Sequence, residues 1–152
     1  MKYFISLIVF TIIVTAQPNS ITSFDDMMTS LKSGHNVNVV IHYAKTKLIM
    51  DGEESEAPDA IGGMHINTFE YFAKGTVRNE KAFLSCSETV LINHPFYGYV
   101  FNYAKLRIYD DNSIEIIAQY VDPKTYEIKM DEKFISEIKN ENNDAGVYLF
   151  LN

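Results

Sequence analysis

Apolar and polar residues alternate along most of this chain, and turn-forming residues interrupt the alternation about every ten residues. In the first such segment Val37, Val39 and Ile41 alternate with Asn38 and His42. An alternation with a period of two places apolar side chains on one face of a strand, so this segment predicts a half-buried strand. Further strand-like segments follow at residues 46–50, 64–73, 82–93, 98–109, 113–121, 125–130 and 146–151.

Strands of this length in series restrict the fold class. They predict a mostly β (α+β) protein whose antiparallel meander forms a curled sheet or a small barrel, packed by one or two short helices. Residues 51–63, which carry five carboxylates between positions 51 and 59, are predicted to form a solvated loop. That loop lacks the ligand spacing of a calcium-binding loop, and weak calcium binding is the alternative.

One short helix is predicted near the start of the chain. Ser23 is a favourable N-cap, and Gly34 ends the pattern where a residue with positive φ is common. The apolar residues between them recur at the spacing of one helical face, at Phe24, Met27, Met28 and Leu31. A second short helix is possible over residues 131–139.

The register of one hairpin can be predicted as well. A three-residue loop at 110–112, with Asn112 in the positive-φ position, sets Ile108 against Ile114 and Arg107 against Glu115. A two-residue loop would set an apolar residue against a charged one and is rejected, because one step of slip exchanges the faces of a strand.

Residues 1–16 have the layout of a cleavable signal peptide. Lys2 precedes an apolar run of eleven residues at 4–14, and small residues follow at 15–16. Eleven helical residues span about half of a 30 Å hydrocarbon core, which argues against a membrane anchor. The sequence therefore predicts a single domain over 17–152 that is secreted, either extracellular or periplasmic if the host is a bacterium.

Charge and cysteine content narrow the range of partners. Once Lys2 is removed, 12 basic and 20 acidic residues remain, a net charge of −8 that disfavours nucleic acid. Cys86 is the only cysteine, so the fold has no internal disulfide. Alternation places Cys86 on an apolar face, which predicts a buried thiol and a monomer; a dimer linked through Cys86 is the alternative.

No residue pattern indicates a catalytic site, a metal site or a cofactor. The four histidines do not form ligand pairs at the usual spacings; they are His35, His42, His65 and His94. Glu88 and His94 would be the best acid–base pair, but they lie six residues apart on one strand. That separation is about 20 Å along a straight strand, too far for direct cooperation.

Glu70 and Glu88 interrupt otherwise apolar alternation, so each is predicted to face inward. A buried carboxylate needs a partner, and Arg78 and Arg107 are the candidates for structural ion pairs. The alternative is a polar ligand site inside a barrel.

Aromatic side chains are dense after Pro95. The strand that follows carries Tyr99, Tyr103, Lys105 and Arg107 on one alternating face. Exposed Tyr and Arg side chains are typical anchors of interfaces, so we take these four, together with Glu88 and His94, as candidate binding residues. The alternative is that this face is a second packing surface covered by the helix.

Longer strings resemble the VirK family of small exported proteins, named from a bacterial virulence regulon. They are TSFDD at 22–26, LKSG at 31–34, APDAIGGM at 57–64, EYFA at 70–73, ETVLINHP at 88–95, YGYVFNY at 97–103, LRIY at 106–109 and DPKTYE at 122–127. Members of the family often carry Cys where this chain has Thr46, which weakens any thiol chemistry. The resemblance implies export, one compact domain and no assigned activity.

Together these observations predict a secreted or periplasmic binding or interaction module with an unknown protein or small-molecule partner. A small-ligand carrier with a barrel cavity is the alternative, and an enzyme of unknown type is the third.

Overall fold

Two antiparallel sheets share one hydrophobic core in the computed structural model, which describes residues 19–151. The predicted signal peptide at residues 1–16 lies outside the described residues. The smaller sheet has four strands in the order β1 (Ser20–Ile21), β11 (Val147–Leu151), β2 (Val37–His42) and β5 (Ile61–Ile66).

The larger sheet has seven strands. Their order is β4 (Glu53–Ser55), β3 (Lys47–Met50), β10 (Ile128–Glu137), β9 (Ser113–Val121), β8 (Gly98–Tyr109), β7 (Phe83–His94) and β6 (Phe69–Phe72). Its edge strands β4 and β6 do not pair with each other, so the sheet is open. The prediction of a mostly β fold is confirmed, and the small-barrel form of it is wrong.

The predicted helix is confirmed as α1 (Phe24–Lys32). The hydroxyl oxygen of Ser23 accepts the backbone N–H of Asp26 at 3.2 Å, which caps the first turn. At the other end Gly34 has φ +81°, and its N–H donates to the carbonyl of Leu31 at 3.0 Å. The apolar face predicted for the helix is buried in the shared core, at Phe24, Met27, Met28 and Leu31.

The predicted register of the β8–β9 hairpin is also confirmed. Ile108 lies opposite Ile114 and Arg107 opposite Glu115. Asn112 has φ +68°, as the three-residue loop requires. Its side-chain Oδ1 accepts the N–H of Phe24 at 2.7 Å, which joins the hairpin turn to the start of α1.

The possible helix at residues 131–139 is wrong, because most of this segment belongs to β10. Met130, Phe134 and Ile138 recur every four residues, and a spacing of four fits both a helix face and a strand face. Pairing decides between the two, since Phe134 lies opposite both Ile116 of β9 and Leu48 of β3. This pairing directs the Phe134 side chain into the core, where it is 1% exposed.

Three smaller boundaries differ from the sequence prediction. The segment at 64–73 is divided between β5 and β6, which lie in different sheets. The predicted loop at 51–63 contains the short edge strand β4. The strand expected from residue 125 begins at 128, because the Asp122 carboxylate accepts the N–H groups of Lys124 and Thr125 at 2.8 Å and holds the turn.

The core lies between the inner faces of the two sheets, and α1 closes it at the end that contains the Asn112 turn. Its fully buried members include Leu106 and Ile116 from the larger sheet, Ile41 and Leu149 from the smaller sheet, and Met27 from α1. Within residues 19–151, no helix is long and apolar enough to cross a membrane.

We expect substitutions at Asn112 to separate its two roles. Asn112→Asp retains an acceptor for Phe24 and should leave the free energy of unfolding nearly unchanged. Asn112→Gly keeps the positive φ but loses the hydrogen bond, at a cost of about 1 kcal/mol. Asn112→Ala also adds backbone strain of about 1 kcal/mol. Urea denaturation followed by circular dichroism measures these differences, and equal stability of all four proteins would contradict the assignment.

Candidate functional site

The β7–β8 hairpin divides its side chains between the two faces of the larger sheet. Along β8, Val100, Leu106 and Ile108 face the core and are at most 1% exposed. The odd-numbered residues of β8, from Tyr99 to Tyr109, alternate with these and face away from the smaller sheet. We call that side the outer face.

Four of the six predicted binding residues lie together on the outer face of β8. They form one row along the strand, in the order Tyr99, Tyr103, Lys105 and Arg107. Tyr99 is 65% exposed, Arg107 is exposed, and Tyr103 and Lys105 are half-buried. We call these four residues the outer row. Helix α1 packs on the core side of the sheet, so the alternative that the helix covers this face is wrong.

Glu88 and His94 lie on the opposite, inner face. They face Ala104 and Gly98 of β8, so they do not join the outer row. β7 pairs with β8 without interruption from Phe83 to His94, and it has no bend that would bring Glu88 and His94 together. The six candidate residues therefore do not form one site.

His94 lies in an aromatic cluster at the tip of the hairpin. Its ring centroid is 4.8 Å from that of Tyr97 and 4.8 Å from that of Tyr120. Its Nδ1 accepts the backbone N–H of Phe96 at 3.2 Å. With Nδ1 acting as an acceptor, the proton of the neutral ring lies on Nε2, which remains available as a donor.

The predicted ion pairs of Glu70 and Glu88 with arginine are not present within residues 19–151. Glu70 is exposed and Glu88 is half-buried, and no carboxylate oxygen lies within 4 Å of Arg78 or Arg107. The Arg107 guanidinium instead lies 5.6 Å from the centre of the Phe83 ring. The nearby Glu115 carboxylate pairs with Lys133 at 3.6 Å.

The outer row ends at a surface cleft of about 410 Å³ that the sequence did not indicate. Phe83, Arg107, Tyr109 and Glu115 are among the residues that line it. Burial raises the pKa of Tyr109, and the charge of Glu115 raises it further, against a lowering by Arg107. The cleft joins residues from β7, β8, β9 and β10, and only the pairing of these strands brings them together.

An ion pair fixes the rim of this cleft. Lys81 Nζ lies 2.5 Å from an Asp111 carboxylate oxygen. Burial alone would raise the pKa of Asp111, but hydrogen bonds from Lys81 and Ser113 outweigh it and lower the pKa to about 2. Asp111 is therefore ionised at any physiological pH, and the positive charge of Lys81 on this rim is paired with it.

The closed barrel cavity that the carrier alternative assumed is not formed by residues 19–151. The open sheet has no barrel interior, and the part of the chain that the structure describes buries no charged or polar side chain. Neither Glu70 nor Glu88 can hold a ligand inside the core, because neither is buried.

Cys86 is buried, as the alternation predicts. It is 4% exposed, and burial raises the pKa of its thiol to about 12. A thiol in this position can form a bond to a second chain only if the strand opens, which argues against the Cys86-linked dimer.

Among residues 19–151, no group of three or more His, Cys, Asp or Glu side chains is arranged to hold a metal ion. In the acidic segment at 51–59, Glu54 pairs with Lys47 at 3.1 Å across β3 and β4. That carboxylate therefore has a structural partner.

Fold and surface together define a class: a two-sheet β protein with one short helix and a solvent-facing aromatic row. Residues 20–126 match the sequence profile of the VirK protein family. The chain belongs to the VirK family. The crystal structure of a VirK family protein from Legionella pneumophila superposes with a TM-score of 0.64 at 14% identity, covering 86% of this chain and 98% of the other. At that identity the likeness shows the fold alone. Comparison with curated protein sequences finds no match.

Burial of Cys86 gives a direct prediction for its reactivity. We expect the native protein to resist a thiol reagent up to about pH 9, because a pKa of about 12 leaves almost no thiolate there. Reaction should become fast when the protein is unfolded in guanidinium. Absorbance of the released thiolate measures the rate.

A neighbouring position supplies the matched control. Ser87 is exposed on the same strand, so a Cys86→Ala, Ser87→Cys variant should react in the native state. Equal rates for the parent and this variant would contradict the buried state of Cys86.

Proposed function

We propose that this protein is an exported binding module that captures a partner protein through the outer row and the cleft beside it. The observation that carries the proposal is the alignment of Tyr99, Tyr103, Lys105 and Arg107 along one solvent-facing strand. A few residues carry most of the binding energy at protein interfaces, and tyrosine and arginine are enriched among them. A rigid central strand keeps such side chains in fixed positions before a partner arrives.

Charge indicates the chemistry of the partner. The mature chain is strongly acidic, yet Lys105 and Arg107 lie within 4 Å of no carboxylate oxygen from residues 19–151. Arg107 is exposed and Lys105 is half-buried, and a cation that solvent can reach and that has no partner is available to pair across an interface. The surface that fits the outer row therefore offers carboxylates beside apolar groups that can pack against tyrosine.

Export is part of the same proposal. It is supported by the n-, h- and c-regions at residues 1–16 and by a single cysteine whose burial makes it inert in an oxidising compartment. Residues 19–151 contain both sheets and the helix, so a protein of residues 17–152 includes every described element and can be used in each test.

A double substitution on the outer row tests partner capture. We expect Tyr103→Ala with Arg107→Ala to reduce affinity for the captured partner by about a hundredfold or more, since interface anchors are each worth about 2 kcal/mol. Ile61→Ala with His65→Ala is the matched control, because both residues are exposed on the smaller sheet. Pull-down from the native secretion medium, followed by titration with the identified partner, measures the loss. Normal capture by the outer-row variant would refute the proposal.

Adjacent residues on opposite faces give a second test. A photoreactive amino acid at Tyr103 should cross-link to the partner, whereas the same group at Asn102 should not, because Asn102 faces the other side of β8.

Native mass spectrometry of the secreted protein distinguishes the competing functions. A stable small-molecule adduct on the monomer would indicate a carrier and count against partner capture.

A further inference from the structure

The β7 strand has a long free edge. β6 pairs with β7 only from Phe83 to Cys86, and β7 continues to His94. Over residues 87–94 no other strand of the described chain is hydrogen-bonded to β7 on that side, although β5 of the smaller sheet contacts β7. Alternate residues of an edge strand direct their N–H and C=O groups outward, so this edge can accept a further strand.

This edge differs from the other edges of the two sheets, which belong to shorter strands. As described, β1 has two residues, and β4 has three, of which two are glutamates. β5 has six residues and contains Gly62 and Gly63, and glycine weakens the interior of a strand. Over residues 87–94 the β7 edge has one acidic residue, Glu88. Two of its apolar residues are at least half exposed, Val90 at 50% and Leu91 at 54%. Edges of this kind readily pair with another strand.

We propose that the β7 edges of two copies of this chain pair antiparallel and form a dimer with one continuous sheet. A two-fold axis perpendicular to the sheet keeps each face on its own side. Residues that lie opposite one another must then share a face. The pairing is limited at one end by β6, which occupies the edge at Cys86, and at the other by Pro95, which has no N–H.

Complementarity selects the register in which Leu91 faces its own copy. On the outer face Leu91 meets Leu91 of the second copy, and Thr89 meets Asn93. On the inner face Val90 meets Ile92, and Glu88 meets His94. Each pair matches apolar with apolar or polar with polar, which stabilises cross-strand neighbours. A register centred on Val90 would instead place Glu88 opposite Ile92 and Thr89 opposite Leu91. Polar side chains would then face apolar ones.

This register also gives Glu88 and His94 a role that they lack within one chain. Glu88 is half-buried and forms no ion pair among the described residues, and the Nε2 proton of His94 is available as a donor. The dimer brings a carboxylate and an imidazole opposite each other at both ends of the shared edge. The dimer adds to the proposed partner capture, because the outer rows of both copies would lie on the same side of the continuous sheet. The recognition surface would then be twice as large.

The first experiment is light scattering after gel filtration, applied to residues 17–152 over a range of concentrations. The expected result is a molar mass twice that of the monomer, falling on dilution. Leu91→Lys places two lysines at the two-fold axis and should weaken the dimer at least tenfold. Ile128→Lys, at a residue 51% exposed on β10, is the matched control and should stay dimeric. A monomer at all concentrations, or a dimer that Leu91→Lys leaves intact, would overturn the proposal.

The second experiment tests the register. Glu88→Lys and His94→Glu should each dissociate more readily than the parent, since like or unmatched groups then face each other. Mixed together, the two variants should form a heterodimer, because the introduced lysine then faces the introduced glutamate, and the remaining Glu88 faces the remaining His94. Native mass spectrometry detects the mixed species. Failure to mix, with both variants still folded by circular dichroism, would exclude this register. These measurements do not depend on the outer row, so they can fail without affecting the proposed partner capture.

Discussion

The rest of the structure depends on one residue in a turn, Asn112. Its positive φ sets the register of β8 against β9, and this register directs the apolar residues of both strands to the same face. The same side chain caps the first N–H of α1, and its backbone carbonyl accepts the N–H of Ile138 at 3.0 Å. Hairpin, helix and the chain leaving β10 therefore meet at a single turn. A short helix is marginal in isolation, so its position is set by this contact and by the core beneath it.

Local chemistry was enough to predict α1 and the β8–β9 hairpin, because capping and turn residues act over a few positions. It was not enough for β10. The apolar residues there recur every four positions, which satisfies both periods, and the decision depends on Ile116 and Leu48, which are distant in sequence. The division of residues 64–73 between two sheets depends in the same way on partners far along the chain. Nothing in the alternation itself distinguishes these cases.

The candidate site was predicted only in part, for a related reason. Alternation along β8 correctly grouped Tyr99, Tyr103, Lys105 and Arg107 on one face. Relating that face to Glu88 and His94 required the register between β7 and β8, which the sequence left open; the pairing places them on the opposite side. The cleft at the end of the row is assembled from four strands and had no local signal. Glu70 was misjudged because a strand at the edge of a sheet exposes both of its faces.

The two sheets differ in extent, and this difference links the proposals. The twelve-residue strands β7 and β8 span about 40 Å, whereas the six-residue strands β2 and β5 span about 20 Å. Beyond Cys86 no residue of β7 is buried, and Val100 of β8, which is buried opposite Ile92, lies outside the shared core cluster, so this end of the hairpin extends past the core. Ordering that extension costs conformational entropy that little apolar burial within the chain offsets. Contacts outside the monomer would offset it: a second β7 along the free edge, and a partner protein against the outer row.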